Sequence, residues 1–188
     1  MARARVSGRR CTFEALEGRQ MMAGDVTAKI SGGDLVIKGD SLANGVTIAA
    51  GTTAGTVVVT GITAGGIATT VNGGTTAVTL SGFTGDLKID MKGGDDNVSV
   101  TGLTVPDDGK IKTGNGADTV TISDTTFGDD FKTDLGAGDD TLTLDSVTVT
   151  GRAKVEGHRG DDDATITDST FSKLHVSLGR GDDTLTMS

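Results

Sequence analysis

The chain has 188 residues with a formal net charge of −9; 30 are glycine, none is tryptophan or tyrosine, and five are phenylalanine. So few aromatic residues argue against a large conventional core, whereas many glycines and threonines are typical of short strands joined by tight turns. The acidic balance argues against nucleic acid as a partner and favours cations or basic partners.

The first 25 residues form a basic leader that differs from the rest of the chain. Residues 1–19 carry five arginines against Glu14 and Glu17, a net charge of +3, which leaves −12 for the remainder. The only cysteine, Cys11, lies here, so the sequence excludes an internal disulfide framework and a cysteine-rich zinc site. No run approaches the roughly 18 apolar residues of a membrane span. Composition alone predicts a disordered leader over residues 1–25.

One segment of the leader carries a family resemblance. Residues 13–23, FEALEGRQMMA, resemble the "LEPR-XLL" motif near the N-terminus of large exported or surface proteins of planctomycete bacteria. The segment departs from that motif at Gly18 and at Met21-Met22, where leucines are usual. The resemblance implies an exported or cell-surface protein and leaves open whether the leader is cleaved.

Residues 26–90 alternate apolar and polar residues in short runs without a clear period. Glycine pairs, such as Gly32-Gly33 and Gly73-Gly74, separate these runs. Short strands with frequent turn signals indicate an all-β structure. Because terminal repeats of solenoids are often degenerate, we interpret this segment as an irregular N-terminal cap with the first coils. A separate small β-sandwich is the alternative.

Residues 91–188 repeat one phrase, a glycine-rich acidic turn that runs into an alternating strand. The best copies occupy residues 114–122, 136–144 and 179–187, and looser copies occupy 93–98 and 160–166. Their final aspartates are Asp96, Asp118, Asp140, Asp162 and Asp183. Successive members are about 22 residues apart, and a regular period of this length predicts a repeat architecture. The last interval is one residue shorter than the others.

Apolar residues recur in fixed columns relative to these aspartates. The columns two and four residues later are apolar in almost every copy, as at Val98 and Val100, and further apolar columns fall before the aspartate and nine residues after it. Each coil then supplies three short strands around a narrow core, and no coil buries its apolar face alone. The sequence predicts an all-β, right-handed parallel β-helix, or β-solenoid, with about 22 residues per coil.

The repeated turns also resemble the Gly-x-Gly-x-Asp-x-apolar nonapeptide of RTX proteins, which binds calcium. Here the phrase occurs once per coil and not in tandem. The resemblance therefore implies calcium binding by the turns, but not the more tightly wound β-roll of RTX proteins. Stacking places equivalent carboxylates about 4.8 Å apart, and their mutual repulsion favours a bridging calcium ion with several oxygen ligands.

We therefore predict that the acidic turns bind Ca²⁺. The expected ligands are Asp95, Asp96, Asp118, Asp139, Asp140, Asp161, Asp162, Asp182 and Asp183. The expected supporting glycines, which allow positive φ, are Gly94, Gly114, Gly116, Gly136, Gly138, Gly160, Gly179 and Gly181. Lys92 and His158 replace the first glycine of the phrase, and those sites should be weaker. The alternative is that Gly-Asp-Asp is a solvated turn, as we interpret Asp107-Asp108 and Asp129-Asp130.

A column of basic residues precedes each aspartate by eight positions. Its lysines are Lys88, Lys110, Lys132 and Lys154, and His175 continues it. One interpretation is an exposed ladder of compensating charge pairs, which stabilises little per pair. The other is a basic stripe that binds an anionic polysaccharide.

The acids recur in register, and neither a nucleophile–base arrangement nor aromatic sugar platforms are evident, so we predict that the chain is not an enzyme. The leading hypothesis is an exported, calcium-stabilised β-solenoid acting as a surface, adhesion or matrix element. The alternative is a carbohydrate-binding or polysaccharide-degrading β-helix. Because Ser188 falls in the middle of a coil, we also expect either a longer protein or end-to-end assembly with further coils.

Overall fold

The computed structural model describes residues 24–64 and 66–188, so almost all of the predicted leader lies outside the described residues. The strands of the N-terminal segment are β1 (Asp25–Ser31), β2 (Asp34–Lys38), β3 (Gly45–Ala50), β4 (Thr56–Ala64), β5 (Ile67–Ala68), β6 (Thr70–Val71), β7 (Val78–Ser81) and β8 (Leu87–Asp90). Those of the repeats are β9 (Asn97–Thr101), β10 (Thr104–Val105), β11 (Gly109–Asn115), β12 (Thr119–Ser123), β13 (Thr126–Phe127), β14 (Phe131–Ala137), β15 (Thr141–Asp145), β16 (Thr148–Arg159), β17 (Asp163–Thr167), β18 (Thr170–Arg180) and β19 (Thr184–Met187).

The repeat strands stack in parallel, each on its counterpart in the next coil. In the first sheet, β8, β11, β14, β16 and β18 lie side by side. In the same sheet, β10 pairs with β13, and β13 pairs with β16. In the second sheet, β9, β12, β15, β17 and β19 do the same. The register joins Val98 to Val120 and Val120 to Leu142, so each residue lies beside its equivalent in the next repeat. The prediction of an all-β solenoid with coils of about 22 residues is confirmed.

The one shorter repeat has a local cause. Strand β16 pairs Val149 with Phe171, but it pairs Arg152 with Lys173, and the second pair is one residue closer in sequence than the first. The register shifts between these pairs, so the missing residue is absorbed at one corner of the coil. The strands on either side keep their inward and outward faces, as they must for the core column to continue.

The core is a narrow apolar column enclosed by the coils. Residues at alternate strand positions are buried, as Val120 and Ile122 are in β12. Phe127 and Phe131 stack with ring centroids 4.5 Å apart, and Gly109 leaves the space that Phe127 fills, since a Cβ there would overlap its ring. Large and small residues in successive coils therefore interdigitate, which close packing requires.

The N-terminal segment shares this core but not the simple coil path. Strand β2 pairs in parallel with β8, and β3 with β9, so both continue the two sheets of the repeats. Beyond them the chain folds back: β1 runs antiparallel to β2, and β4 runs antiparallel to both β3 and β7. This antiparallel layer lies over the first coil, where another parallel coil would otherwise stack.

Candidate functional site

The final aspartates of the repeated turns point into the solenoid. Asp96, Asp118, Asp140 and Asp162 have exposed fractions of 2% or less, whereas Asp183 in the last coil is exposed. The inward direction follows from strand alternation, because the apolar residues two and four positions later point the same way. We call these five residues the inner aspartate column.

Each member of the inner aspartate column binds the backbone of the preceding coil. The backbone N–H of Asp96 donates to Oδ1 of Asp118 at 2.8 Å, and that of Asp118 donates to Oδ1 of Asp140 at 2.8 Å. The same bond joins Asp140 to Asp162 and Asp162 to Asp183, each at 3.0 Å. At the N-terminal end, the N–H of Asn44 donates to Oδ1 of Asp96. The turns are therefore joined by a continuous ladder of carboxylate–amide hydrogen bonds.

The second carboxylate oxygen of each of the four buried inner aspartates has no hydrogen-bond partner. Oδ2 of Asp96, Asp118, Asp140 and Asp162 is buried, and no described group hydrogen-bonds to it. The nearby Thr113 hydroxyl donates instead to the carbonyl oxygen of Leu135. A buried, unpaired carboxylate oxygen is costly, and a cation or a proton at these four atoms would remove that cost.

Burial makes ionisation of the four buried inner aspartates unfavourable. It raises the pKa of Asp96 to about 8 and that of Asp140 to about 7, although the hydrogen bond from the preceding coil opposes the change. The pKa of Asp118 and that of Asp162 are raised for the same reason. Neighbouring carboxylates add to the effect, as Asp118 and Asp162 do at Asp140. Without a counter-ion, Asp96 is mostly protonated at pH 7 and Asp140 is partly protonated.

A second column, the outer aspartate column, lies one residue earlier in each turn and is exposed. Its members are Asp95, Asp139, Asp161 and Asp182. Their hydrogen bonds run the opposite way along the solenoid: Oδ1 of Asp139 accepts the N–H of Asp161 at 2.9 Å, and Oδ1 of Asp161 accepts that of Asp182 at 2.8 Å. Ala117, which stands in this column, donates its N–H to Asp95 but has no carboxylate to continue the ladder.

The turn glycines allow successive coils to stack closely. Gly138 has φ of +140°, and a Cβ there would overlap the carbonyl oxygen of Gly116 in the preceding coil. Gly136 has φ of +108° and faces the carbonyl oxygen of Gly114 in the same way. Two constraints therefore select glycine, a positive φ and close backbone contact between coils. The predicted role in presenting carbonyls to an ion stays a prediction.

The two non-glycine residues in this turn position adopt the same backbone conformation. Lys92 has φ of +75° and His158 has φ of +83°. Such a conformation costs an L-residue roughly 1–3 kcal/mol. The turn shape is thus retained in every coil, even where the sequence departs from glycine.

The sequence interpretation missed a third aspartate ladder, at a different corner. The N–H of Asp86 donates to Oδ1 of Asp34 at 3.1 Å, and the N–H groups of Asp108, Asp130 and Arg152 continue the series from coil to coil. Asp108 and Asp130, interpreted from the sequence as solvated turn residues, accept backbone hydrogen bonds here. The constant spacing of Asp86, Asp108 and Asp130, one in each repeat, was the signal available in the sequence.

The predicted lysine column is largely neutralised by carboxylates. Lys88 pairs with Asp34 at 2.6 Å and Asp86 at 2.8 Å, while Lys132 and Lys154 both pair with Glu156. These lysines are more than one-third exposed, so each pair contributes little stability. The geometry favours the interpretation of this part of the column as a ladder of compensating charges. Lys110 has no such partner among the described residues.

One mixed cluster of acids and histidine lies on the same outer face. Ligand atoms of Asp134, Glu156 and His158 lie within 4.8 Å of one another. Lysines occupy the same carboxylates: Lys112 pairs with Asp134 at 3.4 Å, and the lysines that bind Glu156 lower its pKa to about 2. These cations compete with a metal ion for the carboxylate oxygens.

The chain matches no protein-family model, and it shows no significant similarity to a curated protein or to a solved structure. In the described part of the chain, no helix is long and apolar enough to cross a membrane. The residues that carry the resemblance to planctomycete exported proteins, 13–23, lie outside the described residues.

Proposed function

We propose that this chain is a non-catalytic, calcium-binding β-solenoid that acts as a structural or adhesive element at a cell surface. The calcium part is supported by the two aspartate columns, which lie one residue apart in the same turns of an acidic chain, although no three of their carboxylates form a cluster within 4.8 Å among the described residues. The surface location is supported only by the resemblance of residues 13–23. The structural role is supported by a fold in which every coil depends on its neighbours.

The observation that carries the calcium proposal is the unpartnered Oδ2 atom of each buried inner aspartate. One such atom lies in each of four successive coils, and a positive charge would stabilise each of them. Calcium takes six to eight oxygen ligands in flexible geometry, and its binding would stabilise the folded state because the unfolded chain does not assemble the site. Protonation of the same carboxylates would also neutralise them and therefore competes with calcium binding.

The outer column would supply the exposed carboxylates that a cation meets first. Asp139 follows a turn without charged residues, Gly136-Ala137-Gly138, whereas Asp161 follows His158 and Arg159. Positive neighbours weaken cation binding. The turn at Asp139-Asp140 should therefore bind calcium more tightly than the turn at Asp161-Asp162.

Calcium titration calorimetry at pH 8 tests this proposal on the full chain. The double variant Asp139→Asn/Asp161→Asn keeps the Oδ1 acceptors of the outer column but removes two charges, so we expect calcium affinity to fall at least about fivefold. The control, Asp107→Asn/Asp129→Asn, removes two exposed acids at another corner and should bind calcium like the parent. No saturable binding to the parent chain, or equal losses in both variants, would refute the proposal.

A further inference from the structure

The outer face of the first sheet carries two adjoining depressions. One has a cavity volume of about 590 Å³; Gly114, Gly136 and Ala137 line it with little side-chain bulk, beside Arg159 and Arg180. The other has a volume of about 500 Å³, and its lining includes Lys38, Lys88, Lys110, Lys112 and Asp90. Asp134 lines the first and Lys112 the second, and these two side chains form an ion pair at 3.4 Å. The two depressions are therefore neighbours along the sheet, and we call them together the groove.

Several cations in this groove have no counter-ion among the residues that the structure describes. Arg159 and Arg180 lie directly opposite each other on β16 and β18. Within residues 24–64 and 66–188, no carboxylate oxygen lies within 4.0 Å of either guanidinium, or of the ammonium groups of Lys38 and Lys110. Like charges on adjacent strands destabilise a sheet. An anion that bridges Arg159 and Arg180 would remove that repulsion.

Unpaired cations alone do not mark a site. Arg152 and Lys173 also lie opposite each other on β16 and β18, and in the described chain neither pairs with a carboxylate. They line neither depression. What distinguishes Arg159 and Arg180 is the adjacent cavity, which can hold a ligand, and the polar side chains of Asn115 and Asp134 in its lining.

We propose that this groove binds an acidic polysaccharide built of uronate units. A guanidinium presents a planar fork that matches a carboxylate, and the two ends of the groove would each hold carboxylates of a repeating polymer. Asp90, Asp134 and Asn115 offer acceptors for sugar hydroxyls between those ends. This refines the alternative interpretation of the lysine column by extending it to Arg159 and Arg180. It does not depend on calcium.

The same features disfavour other polyanions. Asp90, which pairs with no cation among the described residues, repels bare phosphates and acidic peptides, which bring few hydroxyl donors to satisfy it. Single-stranded nucleic acid generally requires aromatic side chains on which bases stack, and the only ring in the lining of either depression is the imidazole of His158, which pairs with Asp134. A ligand that carries both carboxylates and hydroxyls fits the whole lining.

Binding of a fluorescent polygalacturonate oligosaccharide to the full chain tests this inference. The assay is run with chelator at 0.15 M salt, so that its outcome is independent of calcium binding. We expect Arg159→Gln/Arg180→Gln to weaken binding by about tenfold or more, as loss of charge-assisted hydrogen bonds does. Ala137→Gln, which fills the groove without changing charge, should weaken it similarly. Melting curves confirm that each variant is folded.

The matched control is Arg152→Gln/Lys173→Gln, which removes the same charge outside the groove. We expect this control to change the affinity less than twofold. Equal weakening in the control, equal binding of polyglutamate, or no binding of polygalacturonate would each overturn the inference. Unchanged binding by Ala137→Gln would also contradict it, because the ligand would then lie elsewhere.

Discussion

At the scale of single residues, the inner aspartates do two things that a surface aspartate does not. Oδ1 accepts a backbone N–H from the neighbouring coil, and Oδ2 is buried without a partner. The hydrogen bond at Oδ1 requires an acceptor oxygen at this position, whereas the burial of Oδ2 makes a negative charge on the carboxylate unfavourable. Replacing the side chain by asparagine or by alanine separates these two effects.

For Asp140, we expect alanine and asparagine to have different consequences. Asp140→Ala leaves the buried N–H of Asp118 without its acceptor and should lower the free energy of unfolding by about 1–3 kcal/mol. Asp140→Asn keeps the acceptor and cannot ionise, so at pH 8 without calcium it should be clearly more stable than the alanine variant. Urea unfolding followed by circular dichroism measures both. Equal stability of the two variants would show that Oδ1 of Asp140 contributes nothing.

The raised pKa values of the inner column predict how stability depends on pH. A carboxyl whose folded pKa exceeds its unfolded value of 3.8 contributes stability that is complete below that value and is lost as pH rises. The loss ends near pH 8 for Asp96 and near pH 7 for Asp140. In chelator, the free energy of unfolding should therefore fall from pH 5 to pH 8, by about 1.4 kcal/mol per pH unit for each acid that stays protonated.

The pH experiment has an internal check. Asp34 and Glu156 have lowered pKa values, owing mainly to their lysine partners, so their contributions are lost only at acidic pH and do not oppose the trend above pH 5. Asp140→Asn should reduce the slope between pH 5 and pH 7 by up to about 1.4 kcal/mol per pH unit, the share of one acid. A stability that rises or stays level from pH 5 to pH 8 in the parent would mean that the inner column is ionised throughout.

At the scale of elements, the turns and strands were not equally predictable. Strand alternation and the regular period predict which residues face the core, and the register of β9, β12 and β15 bears this out. The same alternation extends back to Asp96 and indicates that its side chain points inward. Its charge alone would suggest that it faces solvent. The opposite hydrogen-bond directions of the inner and outer columns depend on side-chain torsions, which no sequence pattern encodes.

The turn glycines provide a test at this scale. Gly138→Ala combines a strained φ of +140° with overlap against the carbonyl of Gly116, so we expect a loss of more than about 3 kcal/mol. Gly102→Ala is the matched control: its φ is +62°, but no atom lies within 4 Å of the new Cβ. The control should cost about 1 kcal/mol. Similar losses would mean that backbone strain, and not contact between coils, selects glycine at position 138.

At the scale of the whole molecule, the repeats were more predictable than the N-terminal segment. The sequence shows where the period fails, before residue 91, but not how the chain then runs. Antiparallel pairing of β3 with β4 and of β1 with β2 depends on contacts between segments and on loop paths without a repeated signal. The groove was also not predictable from the sequence, because its lining residues, such as Gly136 and Arg159, belong to different repeats and come together only when the coils stack.

We propose that neutralisation of the stacked aspartates stabilises the solenoid, and that calcium provides this neutralisation at physiological pH. The most direct test is thermal unfolding of the full chain, followed by circular dichroism at pH 8, in chelator and in millimolar calcium. Because the proposed calcium sites exist only in the folded coils, we expect a clear rise of Tm with calcium, and a smaller rise with magnesium at equal concentration. Superimposable melting curves with chelator and with calcium would contradict it.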